Sequence, residues 1–241
     1  MDPDWQVRLH QANGVRGVSL SPLCNGASSA PLSEEAAAPL VPLPSGQIMA
    51  GQPLALRVAF ADDERARQFC ERLTAVPIPR LGASPCRLMR LPRWHPADPD
   101  CLHASWAQLA DALPARRLHL RFETPTFFSH QGEMRLLPEP ARLWEGWRRT
   151  WEALAPALPL GADTLTLDGL RITRYQLHTE AVTLKGGLWR GFVGEMALEW
   201  RASAPPETRR TATALAGIAD FFGTGAKTML GLGQTRFTVE A

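Results

Sequence analysis

Residues 175–200 read YQLHTEAVTLKGGLWRGFVGEMALEW, and this stretch decides the fold. Its two halves, Tyr175 to Lys185 and Trp189 to Trp200, alternate apolar and polar residues as β-strands do, and Gly186-Gly187 between them is a turn signal. The second half presents an apolar face that consists of Phe192, Met196, Leu198 and Trp200. Glu195 and Glu199 fall on its opposite face. The stretch therefore predicts a β-hairpin with one buried face.

The segments on both sides of this hairpin continue the alternation of strands and helices. Upstream, Leu118 to Phe122 alternates as a strand, Pro140 to Leu154 carries apolar residues at helical spacing, and Leu165 to Thr173 alternates again. Downstream, a helix begins at Pro205-Pro206 and Gln234 to Val239 is a last strand. The order strand, helix, strand, strand, helix, strand is typical of the ferredoxin-like split βαβ unit.

The upstream half carries pieces of a similar unit. Pro53 to Phe60 alternates as a strand, and Asp62-Asp63 offers the N-cap of a helix that runs to about Leu73. Leu102 to Leu113 predicts a second short helix. No strand and helix precede His10, so we expect the opening elements of this unit to be missing or reduced.

These patterns together predict an α+β protein built from tandem ferredoxin-like domains, the first of them incomplete or reduced at its N-terminus. We place the N-terminal domain at residues 1–114, with long proline-rich loops in Cys24 to Gly51 and Val76 to Asp100, and the C-terminal domain at residues 115–241.

The composition is that of an ordinary globular protein, with 241 residues, 45% hydrophobic and 21% charged. Its longest apolar stretches, such as Leu54 to Phe60, are too short to span a membrane. Met1 to Trp5 carries acid where a signal peptide needs a basic region, so we expect a cytoplasmic protein without a membrane partner. The four cysteines form no C-x-x-C pair and predict free thiols.

The basic residues are almost all arginines. Of the 26 basic residues, only Lys185 and Lys227 are lysines. Because the planar guanidinium pairs two hydrogen bonds with one phosphate, this bias suits nucleic-acid contact. Codon bias in a GC-rich genome explains the same inventory, and the abundance of alanine, proline and leucine fits that explanation.

Residues 223–233, GTGAKTMLGLG, hold four glycines in eleven positions. A nucleotide-binding phosphate loop needs glycine where this chain has Phe221 and Ala226, and it runs from a strand to a helix rather than from a helix to a strand. This excludes an NTPase loop. Glycines also let backbone amides approach and surround a phosphate, so the segment is either an anion-binding nest or a plain helix-to-strand connection.

Several segments carry a resemblance to a known family. They read LRFETPTFF at 120–128, LPEP at 137–140, GFVGE at 191–195, the run from Phe221 to Gly233, and upstream LHQANGVR at 9–16 and SLSPL at 19–23. As a set they resemble the CRISPR-associated repeat-processing endoribonucleases of the RAMP superfamily, which cut precursor CRISPR RNA within its repeats.

The resemblance implies a pair of ferredoxin-like domains that bind the CRISPR repeat hairpin and cleave it without a metal or other cofactor. It implies that His10 acts in proton transfer and that Arg16 assists as a cation. It further implies that the protein stays on the RNA stem beside other subunits of a CRISPR ribonucleoprotein complex. Two alternatives remain: a guide-RNA-binding subunit that cuts nothing, and an RNA-binding module unrelated to CRISPR systems.

The residue types also support RNA cleavage without reference to the family. RNA supplies its own nucleophile, the 2′-hydroxyl, so the enzyme needs a base, an acid and a cation. His10 and Arg16 flank the turn signal Asn13-Gly14, which can bring them together. Alternatively, a histidine near a terminus is a solvated surface residue.

The residues expected to contact RNA lie on the glycine-rich loop and around the hairpin. They are Gly223, Gly225, Lys227, Thr228, Gly231, Gly233, Arg174, Lys185, Arg190 and His130. A basic row on strands can follow the phosphates of an RNA stem, or it can be a solvated sheet face. His130 contacts RNA, serves as an acid, or is an ordinary exposed loop residue.

Overall fold

The computed structural model describes residues 17–21, 24–25, 49–81, 84–88, 102–161, 165–184 and 187–240. The strands in this part of the chain are β1 (Val18–Leu20), β2 (Cys24–Asn25), β3 (Leu54–Ala55), β4 (Val58–Phe60), β5 (Arg80–Leu81), β6 (Ser84–Pro85), β7 (Arg117–Thr126), β8 (Phe128–His130), β9 (Glu133–Arg135), β10 (Leu170–Leu184), β11 (Gly187–Trp200) and β12 (Thr235–Glu240). The helices there are α1 (Asp63–Ala75), α2 (Trp106–Ala110), α3 (Pro140–Leu154), α4 (Pro206–Gly217) and α5 (Ala219–Phe222).

The second half folds around one four-stranded sheet. Its strand order is β10-β11-β7-β12, and every neighbouring pair is antiparallel. The chain enters the sheet at β7, crosses through α3, forms the β10–β11 hairpin, and returns through α4 and α5 to β12. This connection and this strand order are those of a ferredoxin-like unit, so the α+β fold and the arrangement predicted for this half are confirmed.

Apolar residues on one face of the sheet pack against the two long helices. The alternating pattern buries Leu118, Leu120 and Phe122 on β7, each no more than 1% exposed. Facing them are the α3 residues Leu143, Trp147 and Trp151, which recur every four positions and form one buried stripe. The indole nitrogen of Trp144 donates a 3.0 Å hydrogen bond to the carbonyl oxygen of Ala212, which ties α3 to α4. This core fixes the sheet and so positions its edges and loops.

Strand β10 differs in extent from the prediction. It begins at Leu170 and runs through Thr173 to Leu184 as one strand, with a register shift between Ile172 and Arg174. The prediction of a separate strand at Leu165 to Thr173 is therefore wrong. Leu165 and Leu167 alternate because both pack against the core from the turn that precedes β10. A bulge inside a long strand produces the same break in the pattern as a loop.

The first half is built from shorter pieces. Strand β1 pairs antiparallel with β4, and the segment predicted as one strand from Pro53 to Phe60 forms the two strands β3 and β4. The side chain of Asp62 caps α1 as predicted, accepting a 2.8 Å hydrogen bond from the amide of Arg65. Helix α2 is shorter than the predicted Leu102 to Leu113. The Ser105 side chain caps its N-terminus, so the helix begins at Trp106, and it ends at Ala110.

Several sequence predictions concern residues that lie outside the described ranges. The prediction that the first domain is incomplete or reduced at its N-terminus concerns the residues before His10, which lie outside the described residues. The boundary between residues 1–114 and 115–241 stays a prediction.

No helix within the described ranges is both long enough and apolar enough to cross a membrane. Cys70 is a free thiol.

Candidate nucleic-acid interface

The glycine-rich segment Gly223–Gly233 connects α5 to β12, as predicted. All four of its glycines have positive φ angles, between 68° and 85°. Lys227 also adopts the left-handed conformation, with φ 64°, and precedes a single 3₁₀ turn at Thr228–Leu230. Such backbone angles are unfavourable for most residues other than glycine, so the path of the loop depends on glycine at these four positions.

The loop packs its backbone directly against the end of β7. The amide of Ala226 donates a 2.9 Å hydrogen bond to the carbonyl of Phe127, and the amide of Gly233 donates a 3.1 Å bond to that of Pro125. A Cβ atom on Gly225 would overlap the Phe127 carbonyl oxygen. One on Gly223 would lie 2.5 Å from the carbonyl oxygen of Gly233. These glycines are therefore required for packing, whatever the loop binds.

The outer side of the loop is open to solvent. Gly225 and Lys227 are exposed, and Thr228 is half-buried. Within the described part of the chain, no group accepts a hydrogen bond from the backbone amides of these three residues. The Lys227 ammonium lies nearby, over the ring of Trp189 at 5.2 Å from its centroid. Unsatisfied amides beside an ammonium are the donors that an anion requires.

A buried charged cluster lies behind the loop. The Glu123 carboxylate, 7% exposed, forms ion pairs with two guanidinium groups, that of Arg236 at 3.5 Å and that of Arg57 at 3.9 Å. Arg236 also reaches Asp220 at 4.0 Å. Burial raises the pKa of Asp220 to about 6, although the Phe237 amide and the arginines act in the opposite direction. The cluster holds α5 and β12, the two elements that flank the loop, in fixed relation to β7.

Gln234 joins the end of the loop to the first half of the chain. Its side-chain oxygen accepts a 2.7 Å hydrogen bond from Arg57, and its side-chain nitrogen donates a 3.0 Å bond to the carbonyl of Leu20 on β1. Strand β1 follows directly after the predicted catalytic residues His10 and Arg16, which lie outside the described residues. The chain immediately after those residues is thus anchored at the glycine-rich loop.

The other predicted contact residues do not gather at one place. His130 is exposed at the tip of the β8–β9 hairpin. Arg174 and Arg190 are both exposed, but Arg174 pairs with Ala197 and Arg190 with Ala181, an odd number of residues apart along each strand. Their side chains therefore point to opposite faces of the hairpin. Lys185 lies outside the described residues.

The sequence did not predict the aromatic residues that lie near Lys227. Trp189 is half-buried near the turn end of the β10–β11 hairpin, and its ring stacks on that of Phe127 with centroids 5.6 Å apart and an interplanar angle of 19°. The alternation of β11 placed Trp189 opposite the apolar face that carries Phe192, where a tryptophan needs a partner other than the core. That position was the signal that could have identified it.

The chain is similar to known proteins in sequence and in structure. A family model described as CRISPR-associated endoribonuclease Cas6 matches residues 120–235, which include β7 through the start of β12. No curated protein matches the chain in sequence. Solved structures do match it.

A product complex of Thermus thermophilus Cas6 is 27% identical, with a TM-score of 0.75, and the match covers 98% of this chain and 87% of that one. Another Cas6 matches as a substrate mimic complex, at 25% identity and TM-score 0.66, over 92% of this chain and 85% of that one. The same Cas6 as a product complex is 29% identical, with TM-score 0.63 and 78% of each chain covered.

The first of these matches extends over both halves of the chain, so the predicted tandem ferredoxin-like fold is confirmed. The family model covers the glycine-rich loop and most of the sheet, from Leu120 in β7 to Thr235 at the start of β12. The chain is therefore similar to the CRISPR-associated Cas6 endoribonucleases, in sequence over residues 120–235 and in fold over both halves.

Proposed function

We propose that this protein binds the hairpin of a CRISPR repeat and cleaves precursor CRISPR RNA within it by transesterification, without a metal ion. The observation that carries the proposal is the exposed side of the glycine-rich loop. There the exposed Lys227 side chain lies over Trp189, and the amides of Gly225, Lys227 and Thr228 have no hydrogen-bond acceptor among the described residues. Loops of this kind hold phosphates through backbone donors, and that contact requires no particular base sequence.

The relatives support RNA as the bound molecule. The matched Cas6 structures include two product complexes and one substrate mimic complex. A repeat hairpin would present its phosphates to the loop, since proteins recognise double-stranded RNA mainly through its backbone and shape. Arg174, Lys185, Arg190 and His130 remain proposed contacts with the RNA.

The cleavage step uses the RNA's own nucleophile. The 2′-oxygen attacks the adjacent phosphorus, the bond from phosphorus to the 5′-oxygen breaks, and a 2′,3′-cyclic phosphate and a 5′-hydroxyl result. His10 removes the proton from the 2′-hydroxyl or delivers one to the departing 5′-oxygen. The Arg16 guanidinium, which stays charged at every physiological pH, stabilises the negative charge that develops on the phosphoryl oxygens.

The anchoring of β1 fits this assignment. Gln234 binds Leu20 at one end of β1, and the carbonyl of Gly17 at its other end accepts a 2.9 Å hydrogen bond from the amide of Ala61. Catalysis by positioned groups loses rate steeply when the groups move by even an ångström. A firmly held β1 next to the phosphate-binding loop is what a catalytic segment just upstream of Gly17 requires.

After cleavage, we propose that the protein keeps the RNA stem and joins other subunits of a CRISPR ribonucleoprotein complex. Phosphate contacts to the loop are the same before and after the cut, because the scissile bond is one among many in the backbone. Product would then leave slowly, and turnover with excess substrate would stop after about one equivalent.

The experiment that tests the proposal is incubation of purified protein with end-labelled repeat RNA in the presence of excess EDTA. The expected result is one cut, a 3′ fragment that a polynucleotide kinase can phosphorylate without prior phosphatase treatment, and a 5′ fragment that ends in a cyclic phosphate. Tight binding without any cut would instead indicate a guide-RNA-binding subunit. Loss of cleavage in EDTA that magnesium restores would indicate a metal-dependent nuclease.

A further inference from the structure

We infer that Trp189 is a positioning residue for RNA binding: its indole ring holds the Lys227 ammonium at the surface of the glycine-rich loop and so couples the β10–β11 hairpin to that loop. The inference rests on the proposed role of the loop in binding RNA phosphates. It adds a residue on a different element, 38 positions upstream of the lysine, to the binding site.

Three contacts converge on this point. The Lys227 ammonium lies 5.2 Å from the centroid of the Trp189 ring, within the range of a cation–π interaction. The same ring stacks on Phe127, whose side chain is 1% exposed and therefore fixed. The carbonyl of Phe127 binds the amide of Ala226, the residue before Lys227. Phe127 thus fixes both the tryptophan ring and the backbone of the loop.

Among the residues that the structure describes, no acidic side chain competes for Lys227. Within the described ranges, no carboxylate lies at ion-pair distance from its ammonium, whereas arginines on the sheet such as Arg117 and Arg121 are paired with glutamates. The exposed ammonium is therefore available to an external anion, and the tryptophan ring restricts it without neutralising its charge.

Restriction of this side chain matters because lysine has many rotamers. A freely rotating lysine loses that freedom when it binds a phosphate, and the loss weakens binding. A lysine held over an aromatic ring has already lost part of it, so binding is stronger for the same contact.

A double-mutant cycle on RNA affinity tests the coupling. Repeat hairpin RNA is titrated with wild type, Trp189→Leu, Lys227→Ala and the double variant over a series of KCl concentrations. We expect Lys227→Ala to weaken affinity about tenfold and to reduce the slope of log Kd against log salt by about one. We expect Trp189→Leu to weaken affinity by about 3- to 5-fold in the wild-type protein and to have no effect in the Lys227→Ala protein.

The control variants separate this role from a general effect on the hairpin. Leu188→Ala changes an exposed residue, 50% exposed, on the other face of β11, and should leave affinity unchanged. Trp189→Phe keeps an aromatic ring and should retain more affinity than Trp189→Leu. An equal effect of Trp189→Leu in both backgrounds would overturn the inference. If Lys227→Ala itself changes neither affinity nor salt slope, the proposed RNA-binding role of the loop fails instead.

A second measurement does not involve RNA. Because the chain has only two lysines, lysine-specific ¹³C labelling gives two ε-methylene signals. One of them should show the upfield proton shift that an aromatic ring causes, and it should be absent in Lys227→Ala and return to its ordinary position in Trp189→Leu. Two unshifted signals in the wild-type protein would contradict the contact. Thermal unfolding of each variant shows that the fold is retained.

Discussion

The guanidinium of Arg57 donates a 2.7 Å hydrogen bond to the side-chain oxygen of Gln234, a residue 177 positions later in the chain. Arg57 precedes β4, and Gln234 follows the last glycine of the glycine-rich loop. Gln234 also binds the carbonyl of Leu20 and is 5% exposed. One buried amide side chain therefore connects two strands of the first half to the loop of the second.

Replacing Gln234 with alanine should separate these elements. We expect Gln234→Ala to lower the free energy of unfolding by about 1–3 kcal/mol, because buried groups that lose their partner retain their desolvation cost. Urea denaturation measures this value, and Gln176→Ala, at an exposed position of β10, is the control that should stay within about 0.5 kcal/mol of wild type. A double-mutant cycle with Arg57→Ala that shows purely additive effects would contradict direct coupling.

Gly225 offers a test of how the loop is built. Its φ is +80° and a Cβ atom there would overlap the Phe127 carbonyl, whereas Gly132 has φ +84° and open space around its Cα. We expect Gly132→Ala to cost about 1 kcal/mol from the backbone angle alone, and Gly225→Ala about 2–4 kcal/mol. Chemical denaturation of both variants measures the comparison. Equal destabilisation would mean that the loop does not pack tightly on β7.

The pKa of Asp220, raised to about 6, makes stability depend on pH. The folded protein binds this proton more tightly than the unfolded chain, so Asp220 lowers the free energy of unfolding as the pH rises from about 4 to above 6. Asp220→Asn has no such titration. Its unfolding free energy relative to wild type should therefore increase by about 1–3 kcal/mol between pH 4 and pH 7. Denaturation at several pH values measures this, and a constant difference would show that the carboxyl group titrates normally.

Much of the second half of the fold could be predicted from the sequence because its signals are local. The alternation in β7 and β11 and the four-residue repeat of Leu143, Trp147 and Trp151 each place a buried face without knowledge of its partner. The extent of β10 could not be predicted, since the bulge after Ile172 breaks the alternation while the hydrogen-bonded ladder continues.

The candidate site depends on contacts between distant residues. Glycines at 223–233 could be recognised as a loop, but their packing against Pro125 and Phe127 depends on where β7 ends in space. Similarly, nothing near Trp189 in the sequence indicates Lys227 as its neighbour. Residue type predicted which groups can bind phosphate, and tertiary structure decided which of them lie together.

His10 is the residue to which the proposal assigns proton transfer. We expect His10→Ala to slow cleavage of repeat RNA by about 100- to 10,000-fold while its affinity for the RNA stays nearly unchanged, because proton transfer contributes to the transition state rather than to binding. Single-turnover cleavage rates and titrations measure the two quantities. His178→Ala, at an exposed position of β10, is the control that should cleave normally, and His130→Ala tests whether His130 serves as the acid.

We propose that the RNA's own 2′-hydroxyl is the nucleophile, and a substrate that lacks this hydroxyl provides the test. Repeat RNA with a single 2′-deoxy nucleotide immediately upstream of the cut keeps every phosphate and lacks only the attacking group. Its binding and cleavage by the wild-type protein are measured beside those of the unmodified repeat. We expect unchanged affinity and no cleavage of the deoxy substrate. Sustained cleavage of the deoxy substrate at the same position would contradict it and would point to water as the nucleophile.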